Sequence, residues 1–248
     1  MSEAPIGVFD SGIGGLSVYR DLGDAEVIYI ADQGFGMYGE RSLEEVRRRC
    51  EGITEYLTDT GVGTIVVACN SASAAALDHL RRRWPDVAFV GMEPAVKPAA
   101  SLTANGTIGV LATEATFQGR LFASVVDRFA GDHRVVTTTC TGLAAAIEDG
   151  TEEIDSLVDE YVGRTLAGGA DVIVLGCTHY SLIADRIAAR AVTARVIDPA
   201  PAVARQVRKV AQPLGGASSF LTTGEPQRFS HQLRRLGFDA AGVDSVQL

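Results

Sequence analysis

The strongest constraint on the fold is a rhythm of short apolar runs separated by longer helical patterns. "IGVF" (6–9), "VIYI" (27–30), "TIVVAC" (64–69) and "VAFVGM" (87–92) read as strands. "TIGVLAT" (107–113), "RVVTTT" (134–139), "DVIVLGC" (171–177) and "ARVID" (194–198) form a second set. Runs apolar on both faces suit parallel strands with helices packed on each side. The alternation predicts an α/β fold with mainly parallel sheets. One intervening helix is legible in detail. Ser42 and Glu45 in "SLEEV" form a capping-box pattern. Leu43, Val46, Cys50, Ile53 and Leu57 follow at spacings of three and four, which puts Cys50 on the buried stripe as inert core.

The chain also echoes itself. "IGVFDSG" (6–12) returns as "IGVLATE" (108–114), and "VVACNSASAAAL" (66–77) as "VLGCTHYSLI" (174–183). Two matches at offsets of 102 and 108 residues point to two related α/β halves, with shared strand grammar as the plainer explanation. Each half carries a strand that ends in a small residue followed by cysteine. Ligands of open α/β sheets bind at the carboxyl ends of strands, so both cysteines are candidates for one cleft. The tail from about 208, with "FLTTG" (220–224) and a helical "PQRFSHQLRRLGF", returns to complete the first half.

Composition excludes several classes. The 248 residues are 46% apolar and 21% charged, which fits neither a disordered chain nor a disulfide scaffold. A net charge of −9 argues against a nucleic-acid footprint, which needs a basic face. The one basic cluster, Arg81 to Arg83, reads as a solvated helix end. No apolar run approaches the roughly 18 residues of a membrane span. The start "MSEAPIGVFDSG" lacks a signal-peptide pattern. The expectation is a cytoplasmic protein with reduced cysteines and no membrane partner.

Chemistry concentrates at the strand ends. Cys69 precedes "NSAS" and Cys177 precedes "THYS", both at strand-to-helix turns. Unpaired backbone N–H groups there favour thiolate and hold carboxylates. His179 lies two residues from Cys177, near enough to set its protonation. Asp10 ends the first strand in "FDSGIGG", whose glycines permit close backbone approach. "SGIGG" has neither the dinucleotide spacing nor a P-loop lysine. A zinc site at Cys69, Cys177 and His179 lacks paired ligand spacing and an evident fourth ligand. From spacing alone, a two-cysteine site and plain core packing both stand. The pattern is what racemisation of an amino acid needs: an acid–base group on each face of the α-carbon, and donors for a carbanion-like state.

These motifs resemble those of bacterial glutamate racemases, in the cofactor-independent aspartate/glutamate racemase superfamily. The likeness runs through "IGVFDSGIGGLSV" (6–18), "YIADQGFGMYGERS" (29–42), "VVACNSASA" (66–74), "IGVLATEATF" (108–117), "AIEDG" (146–150), "VLGCTHYSLI" (174–183) and "FLTTGEPQRF" (220–229). The resemblance implies two pseudo-symmetric α/β domains, 1–95 plus 208–248 and 96–207, with the active site between them. It implies interconversion of L- and D-glutamate by Cys69 and Cys177, the first acting on D-glutamate and the second on L-glutamate. Asp10 would assist Cys69, His179 would assist Cys177, and Glu148 would orient the histidine. Asp10, Ser11, Tyr38, Gly39, Asn70, Ser71, Thr178 and His179 are the implied substrate contacts. No cofactor or metal is implied. D-glutamate would feed peptidoglycan synthesis, and a homodimer would fit a family that often pairs.

Three positions depart from the family pattern. Met37 and Ser181 stand where proline is common, and Ser71 where threonine is. Cys140 reads as structural, and Glu93 with Lys97 as a surface i,i+4 pair at a helix start. The alternatives are an aspartate racemase or another acid-specific relative, a binding module without turnover, and a thiol redox or zinc protein. Binding alone needs no thiol on each face.

Overall fold

The computed structural model describes residues 4–211, 215–238 and 242–248. Ten strands run in chain order as β1 (Ile6–Asp10), β2 (Val27–Ala31), β3 (Thr64–Val67), β4 (Ala88–Gly91), β5 (Thr107–Ala112), β6 (Arg134–Thr139), β7 (Val172–Gly176), β8 (Arg195–Ile197), β9 (Ser219–Thr222) and β10 (Val243–Ser245). The helices are α1 (Leu16–Tyr19), α2 (Leu43–Asp59), α3 (Asn70–Arg83), α4 (Val96–Leu102), α5 (Glu114–Gln118) and α6 (Arg120–Phe129), then α7 (Leu143–Asp149), α8 (Ile154–Ala167), α9 (Thr178–Ser181), α10 (Ala184–Arg190), α11 (Ala200–Val210) and α12 (Pro226–Arg235).

The strands form two parallel sheets, ordered β10-β9-β2-β1-β3-β4 and β6-β5-β7-β8. Within the first, β2-β1-β3-β4 has the same order as the whole of the second. The echoed segments fall on matching strands, β1 with β5 and β3 with β7. The sequence repeat is therefore a repeat of topology. Parallel pairing holds at each named strand pair, as the doubly apolar runs require. β9 adds to β2, so the C-terminal tail returns to the first sheet. β10 was not expected: "VDS" is three residues long and mostly exposed, and only its pairing with β9 marks it as a strand.

Helix α2 carries the expected cap. Ser42 Oγ accepts from the Glu45 N–H, and Glu45 returns a bond to the Ser42 N–H. Val46, Cys50, Ile53 and Leu57 are buried; Leu43 is only half-buried. Thr54 joins the stripe by giving its hydroxyl to the Cys50 carbonyl at 2.7 Å. The pair expected at Glu93 and Lys97 does not form. Helix α4 begins at Val96, so Glu93 precedes it, and the Lys97 ammonium lies over the Phe129 ring. Arg81, Arg82 and Arg83 occupy the exposed last turn of α3, where cations suit the dipole.

Each sheet has its own core. Val8, Tyr29 and Val66 pack with Phe229 and Leu233 of α12 on one face of the first sheet. Leu111, Ile173 and Leu175 pack with Leu143 and Ile147 of α7 in the second. Most of helix α11 lies within the stretch 96–207, yet its Ala200, Val203 and Val207 pack in the first core.

Candidate active site

Cys69 and Cys177 occupy equivalent places. Each follows a central strand and is the N-cap residue of the next helix, with φ/ψ of −141°/127° for Cys69 and −146°/134° for Cys177. Both are buried and line one cavity of about 220 Å³ between the two sheets. Ser11, Gly39, Asn70, Ser71, Thr178 and His179 line it too. Asp10 and Glu148 stand behind that lining. Tyr38 is fully buried, and its phenol donates to Asp32 at 2.5 Å, away from the cavity. Its neighbours Met37, Gly39 and Glu40 line the cavity, whereas Tyr38, expected as a substrate contact, does not.

The helpers of the two thiols differ. At the end of β1 stands Asp10, where the repeat has Ala112. Its Oδ1 accepts from the Ser11 N–H and hydroxyl, and its Oδ2 accepts from the Thr178 hydroxyl at 2.9 Å. Burial pushes the Asp10 carboxyl up, against the lowering influence of His179. Burial, then the Asp10 charge, pushes the Cys69 thiol well up. Cys69 thus rests protonated at neutral pH.

On the other side, His179 stands where the repeat has Ser71. Its Nδ1 lies 4.0 Å from Cys177 Sγ, and its Nε2 is 2.7 Å from Glu148 Oε2. Burial alone would lower the proton affinity of this imidazole. Hydrogen bonds to Cys177 and Glu148 outweigh it and raise the pKa well above its ordinary value. Glu148 shows the converse: burial raises its pKa, but the bonds from His179, Ile13 and Gln33 hold it below the usual range. Both directions describe one buried imidazolium–carboxylate pair. A cation therefore faces the Cys177 sulfur. Helix α9 has only four residues and sums few peptide dipoles.

The glycines of "SGIGG" explain the close fit. A Cβ on Gly12 would stand 2.3 Å from Glu148 Oε2, and one on Gly14 would stand 2.5 Å from His179 Nδ1. The Ile13 N–H, between them, donates to Glu148 at 2.9 Å. The glycine run is thus a seat for the acid–base pair of the opposite half.

Asn70 is 2% exposed, and neither its amide nitrogen nor its carbonyl oxygen has a partner. An unpaired buried amide is costly and marks a place for a polar ligand. Sequence reasoning missed Thr113, whose hydroxyl meets Ser71 Oγ at 3.0 Å across the cleft. The repeat held the signal: Thr113 is the counterpart of Ser11. Cys140, read as structural, also lines the cavity. Burial first pushes its thiol up to about 12, so it is inert near neutral pH. Among the described residues, no group of three His, Cys, Asp or Glu side chains is arranged to hold a metal ion.

The departures from the family pattern have local accounts. Met37 has φ −64°, which proline also adopts. Ser181 Oγ donates to Asp198 at 2.6 Å, a bond proline lacks.

Two related strand ends thus bring one buried thiol each to a single cavity. The chain belongs to the Asp/Glu/Hydantoin racemase family, whose model matches residues 18–207. That membership makes it an isomerase. Within the family it is similar to glutamate racemases. The glutamate racemase of Roseiflexus sp. (strain RS-1) is 44% identical, covering 99% of this chain and 96% of that one. The crystal structure of a glutamate racemase isoform from Bacillus anthracis superposes with a TM-score of 0.88 at 29% identity, over 100% of this chain and 99% of that one. Escherichia coli glutamate racemase, solved with L-glutamate and the activator UDP-MurNAc-ala, gives 0.86 at 29% identity, over 99% and 98%.

Proposed function

We propose that this protein is a glutamate racemase that moves the α-proton between two cysteines. The observation that carries the reading is the placement of Cys69 and Cys177 at equivalent strand ends on one cavity that also holds the unpaired Asn70 amide. Cys177, facing the His179 imidazolium, takes the α-proton of L-glutamate. Cys69, resting as a thiol beside Asp10, delivers a proton to the opposite face. The roles reverse for D-glutamate. Asn70 and the first N–H groups of α3 hold the substrate carboxylate as charge builds on it. Ser11, Ser71 and Thr178 add hydroxyls, and the turn at Tyr38 and Gly39 adds backbone donors. The buried cleft strengthens all of these contacts.

Under this reading the reaction uses no cofactor or metal. The enzyme works in the cytoplasm, supplies D-glutamate to peptidoglycan, and pairs as a homodimer. No helix among the described residues is long and apolar enough to cross a membrane.

The test is incubation of metal-free protein with L-glutamate in heavy water, following α-deuterium and D-glutamate together. Deuterated D-glutamate is the expected product. Exchange with aspartate but not glutamate would keep the two-thiol chemistry and transfer it to the shorter acid. No exchange with either would refute racemisation.

A further inference from the structure

The Glu148 carboxylate is held by more than the histidine it orients. Gln33, just after β2, donates from Nε2 to Glu148 Oε1 at 2.5 Å and to Gln232 Oε1 at 2.6 Å. Gln232, in α12, donates to the Glu148 carbonyl at 2.8 Å and to Oε1 at 3.3 Å. The Thr222 hydroxyl shares its one hydrogen between the Ala31 carbonyl at 3.0 Å and Gln33 Oε1 at 3.1 Å. Both glutamines belong to the first half and Glu148 to the second. Arg235 reinforces the same junction. Its guanidinium donates to the carbonyls of Ile147 at 3.0 Å and Glu148 at 3.2 Å, where α7 ends.

The chemistry of the donors matters. Glu148 must keep its negative charge available to the His179 imidazolium. An arginine or lysine at position 33 or 232 would compete for that charge. Neutral amides fix the carboxylate and leave its charge to the histidine. Every amide atom of the two glutamines has a partner, as a buried polar network requires.

We propose that Gln33 and Gln232 are positioning residues for the Cys177 half-reaction, holding Glu148 from across the cleft so that His179 meets Cys177 only when the halves are docked. This rests on the racemase reading. Neither glutamine touches the cavity, and neither is a catalytic residue.

The experiment uses Gln33→Met and Gln232→Met, which keep side-chain length and lose the amide. The expected result is a kcat roughly tenfold lower with KM within about twofold, the split of a group that acts on the proton-transfer step. Loss of a donor to the carboxylate also raises its pKa. The Glu148 carbon-13 resonance, assigned by its absence in Glu148→Gln, should titrate roughly half a pH unit to one unit higher in each variant. The acid limb of kcat/KM should move the same way. An unmoved Glu148 midpoint in both variants overturns the proposal. So does activity lost evenly at all pH values together with a lowered melting temperature. The titration needs no substrate. It therefore decides the role of the glutamines even if wild-type protein exchanges no glutamate proton, a result that would instead sink the racemase reading.

Discussion

Replacing Glu148 by glutamine removes one charge and almost no volume. Four donors reach the native carboxylate: the Ile13 N–H, His179 Nε2, Gln33 and Gln232. An amide offers one acceptor oxygen in place of two. In its best orientation that oxygen keeps Ile13 and His179, and the new NH2 group faces the two glutamines. The charge-assisted bond to His179 becomes a neutral one, a loss of about 1–2 kcal/mol. At about 1.4 kcal/mol per pKa unit, the His179 midpoint falls by roughly one unit. The same loss at the transition state slows turnover about 10-fold, and misplacement of the imidazole extends it toward 100-fold. L- and D-glutamate have equal free energies, so kcat/KM must fall by one factor in both directions. Circular dichroism of the substrate follows the rate each way, and nitrogen-15 spectra of His179 follow its titration. A kcat/KM within twofold of wild type, with an unmoved His179 midpoint, would show that the buried pair does not serve Cys177.

Cys69→Ser should cut racemisation by about 10²–10⁴-fold, while L-glutamate still acquires α-deuterium without inversion through Cys177; D-glutamate formed at the wild-type rate would remove Cys69 from the reaction. Arg49→Met should cost about 3–5 kcal/mol in urea unfolding, because it leaves the fully buried Asp32 without bonds of 2.8 and 2.6 Å; a cost near zero would contradict the buried-pair account. Met37→Pro should add about 0.4–1 kcal/mol, read as a small rise in melting temperature, since the native φ of −64° already suits the ring; a fall would show that the loop needs the freedom. The imidazolium–carboxylate pair also sets a pH dependence. Glu148 has a lowered folded pKa, so its contribution is complete above about pH 4.3 and fades as pH falls through the folded value. His179 has a raised one, so its contribution is complete below about pH 6.5 and fades as pH rises through the folded value. The stability gap between wild type and Glu148→Gln should therefore be widest between about pH 4.3 and 6.5, and a flat gap across pH would refute the pair.

The parts of the fold visible in the sequence were those with a local cause. Eight strands were written as β-branched runs, and the Ser42 cap lay within four residues of its partner. The two thiols were visible because each repeats in its own half after the same kind of strand. What stayed hidden depends on partners distant in the chain. Gln33 reads as an ordinary loop glutamine until Glu148, 115 residues on, is docked against it. Gly12 and Gly14 read as a flexible turn, whereas their role is to leave space for two side chains of the other half. Tyr38 was expected among the substrate contacts. Its phenol is instead claimed by Asp32, a contact six residues back that no periodicity announces.

The bonds of Thr178 to Asp10, Ile13 to Glu148 and Ser71 to Thr113 all join one sheet's elements to the other's. Opening these bonds, together with those of Gln33, Gln232 and Arg235 to the end of α7, would leave each parallel sheet intact. Such partial opening requires less free energy than global unfolding. Turnover would then vanish at denaturant concentrations where the central strands still protect their amides from exchange. On that prediction, lost activity would first report that the two sheets have parted, and only later that either has melted.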